Sequence, residues 1–179
     1  IDKEVVEILI QEKIMRDVAG AYIVGSYARN EQTIESDVDI LVITNSISRK
    51  IKRGKYEIIC ITRKEVESQL EKNILPILPM LKEAKTIINS ELISNYKNVK
   101  LNLRNLRYHI ETTKSAMNVV RADIKLSKEM KINANDADAY SLILRLRTLY
   151  IVECLIKGKI WSKKDFLKLI KKISGSIIA

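Results

Sequence analysis

The chain is short of several things that would settle its class early, and each shortage excludes something. Only two cysteines, Cys60 and Cys154, occur in 179 residues. They are too few for a disulfide framework, and neither has a Cys or His neighbour at metal-ligand spacing. Both read as buried thiols of a reducing compartment. Uninterrupted apolar runs stop at four or five residues, as at Ile40 to Ile43, far short of the roughly 20 that a membrane helix needs. The segment Ile1 to Glu7 carries acids and no basic stretch ahead of an apolar one, so a cytoplasmic protein with no membrane role is the expectation. Aromatic residues are scarce, with one Trp and one Phe against 29 Ile, and the core must therefore be aliphatic. No repeat or low-complexity stretch appears. What is present, 46% hydrophobic and 30% charged residues, suffices for one ordinary domain or two small ones, with about 70% of the unfolded surface buried at this size.

Charge is distributed unevenly. Residues 1–95 hold 14 basic and 15 acidic side chains, for −1, whereas residues 96–179 hold 18 and 7, for +11. A split of this size suggests two differently tasked parts, the second facing something anionic or simply lysine-rich on its solvated surface. Hydrophobic periodicity changes at the same place. In the first part, Glu4 to Val18 has helical spacing ending at Gly20, and Ala21 to Val24, Val38 to Ile43, Tyr56 to Thr62 and Lys85 to Ile88 read as strands. Thr62 with Glu65 forms a capping box for a helix of about ten residues, after which Pro76 and Pro79 break the pattern. Beyond Glu91 the spacing is helical: Leu101 to Met130 as one helix or two, Ala137 to Lys157 capped by Asn135 or Asp136, and a last helix started by Ser162 and Asp165. The expected fold is α+β, a small mixed sheet over residues 1–95 followed by a basic helical bundle over 96–179.

One segment carries chemistry: Gly25-Ser26-Tyr27-Ala28-Arg29, then a turn, then Ser36-Asp37-Val38-Asp39-Ile40-Leu41-Val42. Gly25 ends a strand and Ser26 opens a short helix, so backbone N–H groups there point outward and suit a phosphate. Asp37 and Asp39, two apart at the start of a strand, share a face about 7 Å apart by Cα. Two carboxylates so close repel, and a divalent cation is the natural remedy; all-oxygen ligands favour Mg²⁺ or Mn²⁺.

Gly-Ser, a ten-residue spacer from Tyr27 to Ser36, then Asp-x-Asp resembles the signature of the polymerase-beta superfamily of nucleotidyltransferases, in particular its minimal members and the aminoglycoside nucleotidyltransferases. The layout is similar over about Glu4 to Tyr96, and closely so over Gly25 to Val42. The resemblance implies that Gly25 and Ser26 hold the β- and γ-phosphates of a nucleoside triphosphate, with ATP the expected donor, and that Asp37 and Asp39 bind metal. Arg29, one helical turn on, reaches a phosphate or pins the loop. A third carboxylate normally follows on another strand as metal ligand and base. Glu57 is the only acid within Tyr56 to Thr62 and is the candidate, although Asp is usual there and a solvent-facing strand residue is the alternative. The implied reaction is attack of an acceptor hydroxyl on the α-phosphorus with release of pyrophosphate. A nucleotide- or RNA-binding module without turnover is the rival reading.

For the basic second part, RNA or an acidic partner protein are the candidate partners, and the apolar helix from Ala137 to Ile156 offers a homodimer interface. Its aromatic residues are scattered rather than arranged for base stacking. The segment Arg104-Asn105-Leu106-Arg107-Tyr108-His109 resembles the Arg-Asn-x-x-x-His motif of HEPN ribonucleases, proteins often paired with minimal nucleotidyltransferases. In that family the motif lies late in the bundle, whereas here it opens the helical part. An ordinary surface histidine is the plainer reading.

Overall fold

The computed structural model describes residues 1–175 and divides into two compact units, one of residues 1–100 and one from Leu101 onward. The first is α+β. Helix α1 (Asp2–Gln11) leads through a single 3₁₀ turn at Met15–Asp17 into β1 (Val18–Ile23), α2 (Gly25–Arg29), β2 (Val38–Thr44), β3 (Arg49–Arg53) and β4 (Tyr56–Thr62). Then come α3 (Arg63–Lys72), α4 (Ile77–Glu83), β5 (Lys85–Ile88) and α5 (Ser90–Lys97). The five strands form one mixed sheet in the order β3-β4-β2-β1-β5. β2 and β4 run parallel, and the other neighbours are antiparallel.

Both sides of the sheet are covered. Val38, Ile40 and Val42 of β2 join Ala21, Ile58 and Cys60 in one cluster closed by Val5 and Leu9 of α1. The alternate residues Leu41 and Ile43, with Tyr22, are equally buried on the opposite side. There α3 packs on β4 and β2 and α5 on β1, while α4 packs against α2, α3 and α5. A strand buried on both faces reads as a continuous apolar run, which is why β2 is unbroken from Ile40 to Ile43. Only its leading end, where Asp39 is half-buried, stays polar.

Several local expectations require correction. α1 stops at Gln11, because Lys13 adopts φ 58° and Ile14 folds back, its N–H bonding Leu9 O at 3.1 Å. β1 accordingly starts at Val18, and Gly20 lies inside it. The glycine is no helix stop but a gap beneath an aromatic ring: a Cβ there would come within 2.1 Å of Tyr22 Oη. The strand β3 was not expected, since Arg-Lys-Ile-Lys-Arg has one apolar residue, Ile51, to mark its inner face; charged side chains are how an edge strand avoids further pairing. Pro79 does not break the chain. It is the third residue of α4, where no intrahelical N–H bond is required.

The second unit consists of α6 (Leu103–Met130), α7 (Asp136–Ile156) and α8 (Lys163–Ser174). Leu103 to Met130 is one helix, begun by a reciprocal capping box between Asn102 and Asn105. Asn135 caps α7 and Ser162 caps α8. α6 packs on α7 and α7 on α8, with Tyr150 against Phe166. On α7, Tyr140, Ile143, Leu149 and Ile156 are exposed. Cys60 and Cys154 are both buried and unbridged. Among the described residues, no helix is long and apolar enough to cross a membrane.

Candidate active site

The site begins where β1 ends. Val24 is extended, and its N–H bonds Asp39 O at 2.9 Å. Gly25 then takes φ +69° to start α2, and a Cβ on it would stand 2.2 Å from Asp39 Oδ2. Both the backbone conformation and the close approach demand glycine here. Ser26 follows as the second residue of this one-turn helix, half-buried.

Strand pairing assembles the rest. Asp39 on β2 faces Glu57 on β4 in the parallel ladder, and Glu57 faces Lys52 on β3 in the antiparallel one. Side chains of register partners share a face, so Lys52, Glu57 and Asp39 form one row across three strands. Asp37 precedes Asp39 by two residues and so falls on the same side. Lys52 Nζ lies 2.7 Å from Glu57 Oε1 and 3.6 Å from Asp37 Oδ2. Burial raises the Asp39 carboxyl above its ordinary range, and the charges of Glu57 and Asp37 push it further. Glu57 is held low by its hydrogen bond to Lys52, which in turn is raised by the same bond.

Arg29 is engaged with two other acids, and its charge acts on Asp39 as well. Its Nη1 donates to Glu83 Oε2 at 2.7 Å and its Nε to Glu31 Oε2 at 3.0 Å, and its side chain is 10% exposed. Glu83 Oε1 accepts from the Gly25 N–H at 2.7 Å. Burial raises the Glu83 carboxyl, while Arg29 and the Gly25 N–H draw it back. Through Glu83, Arg29 is tied to the turn that Gly25 makes. Glu83 and Lys52 are the residues that sequence reasoning missed. Glu83 is an acid closing the apolar helix Ile-Leu-Pro-Met-Leu-Lys-Glu, and its partner lies 54 residues away. Lys52 was within reach of a hairpin reading of Lys52-Arg53-Gly54-Lys55-Tyr56, since Gly54 turns with φ +55°.

Among the described residues, no three carboxylate, imidazole or thiol groups converge on one point as the side chains stand. The backbone sets which residues could hold a cation. It lines Asp37, Asp39 and Glu57 along one face, an ammonium already bridges two of them, and the third is burdened by the charge of the others. An all-carboxylate set of this kind fits a hard divalent ion.

A family model described as nucleotidyltransferase domain matches residues 3–95. The chain belongs to the nucleotidyltransferase domain family. That match takes in the whole row from Gly25 to Glu57 and ends just before the basic helical part. A nucleotidyltransferase-like protein from Exiguobacterium sibiricum has a crystal structure that is similar at a TM-score of 0.45 and 16% identity. The similarity covers 99% of this chain and 68% of that one. No curated protein matches the chain.

The Arg104 to His109 segment lies at the start of α6. Asn105 is 2% exposed and exchanges hydrogen bonds with Asn102, its N–H bonding Asn102 Oδ1 at 3.0 Å and its Oδ1 accepting from the Asn102 N–H at 2.9 Å. Burial lowers the His109 pKa, helped by the Arg145 charge. This asparagine serves the helix start.

Proposed function

We propose that this nucleotidyltransferase domain transfers a nucleoside monophosphate from a nucleoside triphosphate, ATP first among them, to an acceptor hydroxyl in a reaction dependent on Mg²⁺ or Mn²⁺. The observation that carries this reading is the row of Asp39 and Glu57 with Asp37 on one face, against which Gly25 is seated with no room for a Cβ. Asp37, Asp39 and Glu57 would hold the metal, which when bound neutralises phosphate oxygens and steadies an in-line displacement.

The chain's own groups supply positioning. Gly25 and Ser26 receive the β- and γ-phosphates at the start of α2, and the Arg29–Glu83 pair keeps that turn in place. Glu57, ionised beside Lys52, accepts the proton of the acceptor hydroxyl. The new bond forms between that oxygen and the α-phosphorus, the bond from the α-phosphorus to the bridging oxygen breaks, and pyrophosphate leaves with the electron pair. Holding nucleophile and phosphorus in line, together with neutralisation of the developing charge, accounts for most of the acceleration such a site can give. For the acceptor, the excess of 18 basic over 7 acidic side chains in residues 96–179 favours an anionic molecule, RNA first.

Pyrophosphate release from ATP and Mg²⁺ in the presence of cell extract tests the reading. Asp39→Asn is expected to lower it by at least about 100-fold while leaving the folded state intact; undiminished release in that variant would refute the assignment. A second reading, nucleotide binding without turnover, is favoured by one observation, the engagement of Glu57 with Lys52 at 2.7 Å. It predicts metal-assisted ATP binding with no pyrophosphate.

A further inference from the structure

The row across β3, β4 and β2 contains a cation of its own. Lys52 stands on the edge strand opposite Glu57, and Glu57 stands opposite Asp39. Register partners in a ladder lie about 5 Å apart, so the backbone sets the stem of this lysine beside Glu57 and within reach of the other carboxylates. The basic residues of β3 divide by parity. Arg49 and Arg53 turn to the other face, where both reach Glu12. Lys50 shares the face of Lys52 but is opposite Ile59 rather than an acid. Only Lys52 among these four is placed to bridge Asp37 and Glu57, and it does so with a side chain that is 64% exposed. An exposed lysine ion pair is weak and its long side chain swings into water readily.

We propose that Lys52 is a built-in counter-cation, which holds the Asp37 and Glu57 carboxylates together before a divalent ion arrives and must leave them when it binds, so that it sets the affinity of the site for that ion. The proposal rests on the metal reading given above. Carboxylates gathered on one face repel one another, and an ammonium relieves that repulsion without a metal. The same ammonium then competes with the metal for two of its three ligands. Lys52 is therefore a positioning residue, and its removal is expected to improve metal binding while loosening the metal-free site.

The test is Mn²⁺ binding to the whole protein, followed by the paramagnetic resonance signal of the free ion. Lys52→Met is expected to bind Mn²⁺ about tenfold more tightly than the unaltered chain. Lys52→Arg, which keeps the charge, and Lys50→Met, which removes one charge from the same face, are each expected to stay within about twofold. Lys52→Gln retains a hydrogen-bonding group without charge and gives a second readable variant should Lys52→Met fail to fold. In chelator, Lys52→Met is expected to melt at a lower temperature than the unaltered chain and to gain more on adding Mn²⁺. Unchanged or weaker Mn²⁺ binding in both Lys52→Met and Lys52→Gln, with Asp39→Asn still abolishing binding, would overturn the role of Lys52 alone. Absence of Mn²⁺ binding in every form would overturn the metal reading and this proposal with it.

Discussion

Gly25 and Arg29 show how single residues fix the site. At Gly25 a methyl group meets two obstacles, a left-handed φ of +69° and Asp39 Oδ2 at 2.2 Å. Gly25→Ala is expected to cost about 1–2 kcal/mol from the backbone alone, with a further loss of transfer because Asp39 must move; denaturant midpoints and pyrophosphate release read the two effects separately. Arg29 and Glu83 form a pair with side chains 10% and 3% exposed. Removing one partner of such a pair leaves a buried charge, so Arg29→Met is expected to destabilise the fold by about 3 kcal/mol. A variant of unaltered stability would show that Arg29 does not pin the turn. Gly25, Asp37 and Asp39 could be grouped as candidates because their spacing lies within one stretch of chain. Glu83 was not, since its importance depends on a contact 54 residues distant that no local pattern records.

Elements were legible where their first turn carries its own signal. The Thr62–Glu65 box starts α3, and the caps of α7 and α8 fall at Asn135 and Ser162. The Asn102–Asn105 box is the same device, hidden because Asn105 was read with Arg104 and His109 as part of a nuclease-like motif. Asn105→Ala is expected to destabilise the helical unit by about 1–2 kcal/mol, measured by denaturant unfolding. β3 carries no hydrophobic alternation, because an edge strand needs only one buried residue, here Ile51; its one local signal is the hairpin turn at Gly54. A loop contact adds a pH dependence. The Asp17 carboxylate accepts from the Ser46 and Ile47 N–H groups at 3.0 and 2.9 Å and from Ser46 Oγ at 2.9 Å. The Ser46 backbone bond leads in holding its pKa below the ordinary value. A depressed carboxyl pKa stabilises the fold above its unfolded value, and that contribution is lost as pH falls through the folded one. Asp17→Asn is therefore expected to flatten the acid limb of the stability curve, as thermal melts between pH 6 and 3 would record.

At the scale of the molecule, charge and architecture divide alike. The α+β unit of residues 1–100 contains the whole row from Gly25 to Glu57, and residues 96–179 carry the +11. The fold class was readable because the hydrophobic period changes from strand to helix at that seam, whereas the acceptor is not encoded by any short motif. If the basic half binds single-stranded RNA, affinity is expected to fall at least about tenfold between 50 and 200 mM salt, as a fluorescence titration would show; affinity independent of salt would argue against an anionic acceptor.

Nucleotidyl transfer at Asp37 and Asp39 is tested by transfer of label. The protein, Mg²⁺ and α-labelled ATP are incubated with cell extract, which is then separated into RNA, protein and small molecules. Label is expected in one fraction with the unaltered chain and in none with Asp37→Asn or Asp39→Asn. Equal labelling by both variants, or nucleotide binding with no label in any fraction for any of the four nucleoside triphosphates, would contradict it.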